Sequence, residues 1–361
     1  MTGVLTWFAV WADFSNFFRL EPIPINQIAT EEKTAVKEPL LETIEEVSLI
    51  AVGDILLSRA VGDKMQENGD DYPFLKVTEF LNGGDIVFGN LETPITAGQR
   101  VKPYEMLFRA EAEAGAVLRR AGFDILSLAN NHTPNFGEKG LLDTFDNLTQ
   151  NDIKYVGAGR NSDEANQPVY LTVKNITFAF LAYNDPRVVP AGYEAAAERA
   201  GTAFMRVDKM IEAVKQAKTK ADFVIVSMHA GDEYVFAPNQ TQITFARAAI
   251  DAGGELVIGH HPHVIQTIER YRGKNIFYSL GNFVFDQMQT RATREGLVVK
   301  IIFNRDGVSN ISSHLVLIEN FAQPRFLEAG EKRREKSLSN PNLNYHYGDE
   351  KKSPKRYAII E

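Results

Sequence analysis

The chain contains no cysteine in 361 residues. That single absence excludes disulfides, thiolate metal sites and cysteine nucleophiles. It leaves the compartment open, because a core of this size needs no disulfide staples. Several catalytic signatures are also missing: G-x-S-x-G, the Walker A loop, H-E-x-x-H, and a G-x-G-x-x-G that follows a strand. Basic charge is in deficit, with 39 Lys and Arg against 47 Asp and Glu, a formal net charge of −8. A nucleic-acid-binding protein needs a basic face, so that class is not expected. Long apolar runs are lacking too. The charge-free start, MTGVLTWFAVWA, ends at Asp13 after 12 residues. It is too short to span a bilayer and lacks the basic region and cleavage site of a signal peptide. An interfacial anchor, the remnant of a membrane anchor and a hydrophobic arm packed on the body all remain open for it.

What is present reads as an ordinary globular chain, 44% hydrophobic and 24% charged. Residues 1–45 form an apolar segment followed by a Pro-, Glu- and Lys-rich linker, EPIPINQIATEEKTAVKEPLLETIE. A domain over 46–320 follows, and then a polar tail over 321–361. Within the domain, apolar runs at 47–55, 85–92, 123–132, 221–234 and 254–264 alternate with helix-type segments near 74–82, 112–121, 137–150 and 240–252. This alternation predicts an α/β fold with largely parallel strands. A hairpin is expected at 169–183 with its turn near Lys174-Asn175. Antiparallel strands are expected after 264, around the Arg-Gly-Lys-Asn and Asn-Arg-Asp-Gly turns.

Five of the apolar runs end in potential ligands: Asp54; Asn90 and Glu92; Asn131 and His132; His229 with Glu233; and His260, His261 and His263. Five of the seven histidines therefore fall at strand ends, where open α/β sheets bind ligands. Taken singly, each has an ordinary reading as a turn, a cap or a satisfied core histidine. Their recurrence at equivalent places argues for one site. Without thiolates, the donors suit Mn, Fe, Zn or Mg, as one or two divalent ions. A bridging carboxylate between ions about 3.5–4 Å apart, with further ligands on each, would make a hydrolytic centre. His261-Pro262-His263 sets two imidazoles at i and i+2. Proline is expected to hold His261 extended, so that both rings face one side. His261 and His263 are then the ligands of that stretch, and His260 a pocket residue.

Six stretches, GDILLSR (53–59), GNLETPIT (89–96), GFDILSLANNHTPNFGEKGL (122–141), MHAGDEY (228–234), GHHPHVIQ (259–266) and YSLGNFVFD (278–286), resemble in order the motif series of the CapA capsule-synthesis family. These are poly-gamma-glutamate biosynthesis proteins with a metallophosphatase-like domain. The resemblance implies a calcineurin-like phosphoesterase fold, a four-layer αββα sandwich with its metal centre at the strand ends. It implies that Asp54 and His263 hold one ion, that Asn131, His229 and His261 hold the other, and that Glu92 bridges them. His132 and Glu233 would be catalytic, His132 as a general acid or phosphate contact. Asn90, Tyr234, His260 and Asn282 would meet substrate.

The sequence departs from the pattern in three places. Leu56 stands where the superfamily has the histidine of Asp-x-His, Asn135 where an acid is frequent, and Ala230 where tryptophan is frequent. The resemblance implies a metal-dependent hydrolase acting on a phosphoester or an anionic polymer. A second reading is a non-catalytic, membrane-associated assembly or export component for such a polymer. Its expected setting is the membrane or the extracytoplasmic face, with membrane-bound polymer synthesis or export proteins as partners.

Overall fold

The computed structural model describes residues 45–99, 101–102, 105–328 and Glu331. The apolar start, most of the linker and nearly all of the tail lie outside the described residues. Two mixed sheets form the body. The first runs through β16 (Gln323–Phe326), β15 (Gly307–Glu319), β14 (Glu295–Asn304), β1 (Val47–Ile55), β2 (Ile86–Leu91), β3 (Ile125–Ser127) and β4 (Lys154–Val156), with β13 (Asn282–Val284) also paired to β1. The second has the order β11 (Ile268–Tyr271), β12 (Lys274–Phe277), β10 (Leu256–His260), β9 (Phe223–His229), β7 (Ile176–Asn184), β6 (Val169–Val173). A small ladder joins β5 (Ala158–Gly159) to β8 (Gly201–Thr202). Within the two sheets, β1 to β4 run parallel, as do β7, β9, β10 and β12, so their carboxyl ends gather at one edge.

Three apolar cores define the layers. The first packs the outer face of the first sheet (Ile50, Val52, Val87, Leu126) against α1 (Arg59–Asn68), α2 (Thr78–Leu81), α3 (Ala114–Ala121) and α4 (Gly137–Gln150). The second lies between the sheets, where β1, β2 and β14 meet β7, β9 and β10. There Phe88 of β2 stacks on Phe180 of β7 with ring centroids 5.7 Å apart. The third packs the second sheet's outer face on α6 (Val207–Lys218) and α7 (Gln240–Asp251), with α5 (Ser162–Asn166) adding Ala165. A short α8 (Arg291–Arg294) leads into β14. The result is the expected helix–sheet–sheet–helix sandwich. Each sheet is covered on both faces, so its central strands read as continuous apolar runs.

The hairpin turn at Lys174-Asn175 is present, with both residues at positive φ, +46° and +58°. That geometry matches the right-handed twist of the strands it joins. Two expectations need correcting. The segment 74–82 yields only the four-residue α2. Val77 and Thr78 both donate to the Phe74 carbonyl, at 2.9 Å each, so the chain buries Phe74 and Val77 in turns before α2 begins. The folded body also continues past 320, because β16 pairs antiparallel with β15. The polar composition there hid a strand that buries only half its residues.

Close backbone approaches at two glycines shape the edge where strands end. A Cβ on Gly53 would lie 2.0 Å from the Gly281 carbonyl oxygen, and one on Gly259 would lie 2.0 Å from that of Tyr278. Each glycine directly precedes a strand-end polar residue, Asp54 or His260. Gly53→Ala and Gly259→Ala should each cost about 1–3 kcal/mol or more, read as a lower urea midpoint. Gly62→Ala inside α1, where the nearest atom is 3.8 Å away, should be neutral or stabilising by about 0.5–1 kcal/mol.

Candidate metal centre

Asp54 is the next-to-last residue of β1, in register with Asn90 of β2 on one side and Asn282 of β13 on the other. The β1–β2 pairing slips between Ala51 and Asp54, and such a bulge re-aims the side chains beyond it. The Asp54 carboxylate is fully buried. It accepts 2.9 Å from Asn90 Nδ2 and 3.3 Å from the His261 amide, and it lies 3.2 Å from His260 Nδ1 and 3.6 Å from His263 Nδ1. Burial works to raise its pKa. The hydrogen bond and charge of His260 and the charge of His263 outweigh that, so the carboxyl sits below its ordinary value.

Glu92 follows β2 and is also fully buried. Its Oε1 has no hydrogen-bond partner and stands 3.9 Å from both His132 Nε2 and His263 Nε2. Burial first, then the charges of Asp54 and Glu233, push its pKa well above the usual carboxylate range. His229, at the end of β9, meets Asn131 Oδ1 through Nε2 at 2.9 Å and Asn90 Nδ2 through Nδ1 at 3.3 Å. Burial, reinforced by the neighbouring imidazoles, drives His229 well below its ordinary pKa and His261 down to about 4. These rings are therefore neutral at neutral pH, the state in which imidazole ligates a metal.

The His261-Pro262-His263 stretch is not extended as expected. His261 has φ +98° and His263 φ +56°, and the segment bends. Proline disfavours the right-handed helical region for the residue before it, which leaves a left-handed turn open. The chain needs that turn to reverse from β10 toward the Ile265–Leu280 bridge. Both rings nevertheless end on the same side, with centroids 6.0 Å apart. Holding two non-glycine residues at positive φ costs free energy, which the surrounding contacts must offset.

Ligand-type atoms fall into two groups, Asp54 with Glu92 and His229, and Glu233 with His261 and His263. Within each, the donor atoms lie within 4.8 Å of one another. Glu92 Oε1, His261 Nδ1 and His260 Nε2 are buried without hydrogen-bond partners. Two buried acids, neutral imidazoles and unpartnered lone pairs are the donors that a divalent ion requires, so the residues present fit one or two such ions.

Around these groups stands a supporting layer. Asn282 Oδ1 accepts 2.9 Å from His263 Nδ1, which leaves the Nε2 lone pair facing Glu92. Asn135 Oδ1 does the same for His132 at 2.9 Å. Burial, against this hydrogen bond, brings His132 down to about 3. Asn90, His260 and Asn282 are fully buried, and their side chains face the candidate ligands. Of the four residues expected to meet substrate, Tyr234 is the exposed one, its ring 6.2 Å from that of His263.

Sequence reasoning missed two arginines and their acids. Arg59, at φ +53°, is buried over the Phe108 ring at 4.4 Å and paired to Asp286. Phe108 stacks in turn on His132, with centroids 3.7 Å apart. Buried Asp185 follows β7, bonds its amide to the His229 carbonyl, and takes a forked contact from half-exposed Arg187. The signal for Asp185 was available, since FAFLAYND is a sixth apolar run that ends in polar residues.

Comparison with known proteins bears on the same stretch. A family profile described as bacterial capsule synthesis protein PGA_cap matches residues 48–287. The capsule biosynthesis protein CapA of Bacillus anthracis is 38% identical over 263 residues, covering 70% of this chain and 63% of that protein. The aligned part therefore spans less than two thirds of that relative. The PGA biosynthesis protein CapA of Bacillus subtilis (strain 168) is 37% identical over 259 residues, covering 71% and 67%. A solved calcineurin-like phosphoesterase from Bacillus subtilis, YfkN, aligns at 16% identity and TM-score 0.47 over 78% of this chain and 93% of its own. The profile takes in β1 through Gln287 and with it every strand end that builds the centre, so the chain belongs to the bacterial capsule synthesis protein PGA_cap family.

Proposed function

We propose that the strand-end centre is a divalent-metal-dependent hydrolase site. Its substrate would be a phosphoester, or an ester or amide of an anionic surface polymer, in bacterial capsule or poly-gamma-glutamate synthesis. The observation that carries this reading is the pair of ligand groups, three donors each, gathered at one edge of both sheets, with every donor but Glu233 buried. The names of the two Bacillus relatives supply the biological setting.

In this reading Asp54, Glu92, Asn131, His229, His261 and His263 hold one or two ions drawn from Mn, Fe, Zn and Mg. When bound, the ions would acidify a water and neutralise charge on the substrate's oxygens. Glu92 is the carboxylate best placed for sharing, since its Oε1 is unpartnered and 3.9 Å from His263 Nε2. His132 presents Nε2 to the same space, with Nδ1 fixed by Asn135. Burial keeps it neutral, so it meets an incoming group as an acceptor. A bound anion would offset that burial and let His132 carry a proton to the leaving oxygen. The proposed partners are that polymer and the membrane-bound proteins that make or export it. Among the described residues no helix is long and apolar enough to cross a membrane.

Metal analysis and phosphoesterase assay of the purified chain test the reading together. Mn2+ at about 100-fold over its dissociation constant should stabilise the fold by about 2.7 kcal/mol, seen as a higher Tm that EDTA reverses. His261→Ala should lose both that gain and turnover. Failure to bind any metal sinks the proposal, and metal binding without turnover on any phosphoester or polymer moves it to the assembly role. His132→Ala should keep its metal content and lose about 10²–10⁴-fold in kcat. A proportional loss of metal would instead make His132 a ligand.

A further inference from the structure

Glu233 belongs to the described centre but not to any role that burial alone explains. It is exposed, yet its carboxylate falls in the tight group with His261 and His263, whose rings are almost wholly buried. We propose that Glu233 is a metal ligand, completing with His261 and His263 an ion site of its own beside that of Asp54, Glu92 and His229. The proposal rests on the metal-dependent reading above and deepens it.

Charge supports the assignment first. Both buried carboxylates, Asp54 and Glu92, lie in the other group. Two imidazoles and at most a share of Glu92 would give a divalent ion there little anionic donation, and a carboxylate of its own would hold it more tightly. Glu233 turns the pair into a two-histidine, one-carboxylate set, which favours Mn, Fe or Zn over Mg. Leu56, two residues after Asp54, points an apolar side chain into the core and donates nothing.

The imidazoles are also prepared for a further partner. His261 Nδ1 is buried without a hydrogen bond. His263 Nδ1 is occupied by Asn282, so its Nε2 lone pair is free.

Lastly, the loop that carries Glu233 is clamped to the turn that carries the histidines. The Tyr234 amide donates 2.8 Å to the Pro262 carbonyl, with Tyr234 held at φ +65°. Gln266 Nε2 donates to the carbonyls of Val235 and Ala237, at 2.7 and 3.2 Å. Gln242 anchors Gln266 in turn, at 2.8 Å. On the solvent side, the Tyr234 hydroxyl accepts from Gln287, which accepts from Asn282, which accepts from His263. The residue next to Glu233 is thus tied to the histidine turn twice, by the Tyr234 amide to Pro262 and by the Tyr234 hydroxyl through Gln287 and Asn282 to His263.

Calorimetric titration of the purified full chain with Mn2+, together with elemental analysis after desalting, tests the assignment. Wild type should take up two equivalents. Glu233→Gln should keep one and weaken the other by about 10–100-fold. Glu233→Asp, which keeps the charge on a shorter arm, should restore part of the loss. The metal-free Tm of both variants should match wild type, because the residue is exposed. Two equivalents at unchanged affinity in Glu233→Gln would overturn the assignment while leaving the metal-dependent reading intact. No uptake by wild type would overturn that reading, and this assignment with it.

Discussion

The close approach of β13 to β1 is the constraint on which the rest of the centre depends. Only a glycine at position 53 lets the Gly281 carbonyl come near enough for the Asp54 amide to donate to it at 3.0 Å. That contact sets Asp54 level with Asn282, and Asn282 in turn fixes the tautomer of His263. A strand that slipped by one residue here would turn Asp54 into the apolar layer and carry Asn282 away from the histidine. Gly259 plays the same part for β10, whose last residue, His260, comes within 3.2 Å of Asp54. The two sheets therefore meet at their ends through one buried carboxylate and the imidazoles around it.

That meeting is possible because the inter-sheet core is continuous up to the centre. Phe88 stacks on Phe180 between the layers, and it also lies beside the His260 ring, with centroids 6.1 Å apart. Apolar packing thus supplies the rigid floor, and the polar residues sit on it where the strands stop. Unpartnered buried atoms such as Glu92 Oε1 are costly to a fold that uses them for nothing. Their concentration at this edge, amid a core otherwise closely packed, is the physical mark of a site built for a ligand.

Much of this was legible in the sequence. Apolar runs that stop at Asp54, Glu92, Asn131, His229 and His260 reveal both the parallel strands and the edge they share, because the same period sets burial and side-chain direction. The hairpin at Lys174-Asn175 was legible for a local reason, a two-residue turn between β-type runs. Other features were not. The left-handed turn at His261 and His263 is imposed by where the chain goes next, to the Ile265–Leu280 bridge, and proline suggested an extended path instead. Arg59 and Asp286 are 227 positions apart, and nothing local in either stretch announces their pairing. β16 escaped notice because an edge strand with two half-buried residues carries little apolar signal.

The distribution of charge explains how so buried a centre remains approachable. Burial holds Glu92 toward its protonated form and the imidazoles of His132, His229 and His261 toward their neutral forms. Without metal the floor therefore carries less charge than its formula implies, and the fold escapes much of the desolvation that ionised groups would exact. On the proposed reading, a divalent ion held by Glu92 would reverse that balance, since its charge would favour the carboxylate. Two charged side chains reach solvent from different loops: Glu233 beside His261 and His263, and Arg187, which is paired to buried Asp185 next to the end of β9. The first would suit the arrival of a cation, while Asp185 already compensates the second. On the reading proposed above, the acid that would meet an arriving metal ion stands at the mouth, and the two buried acids, Asp54 and Glu92, stand behind it.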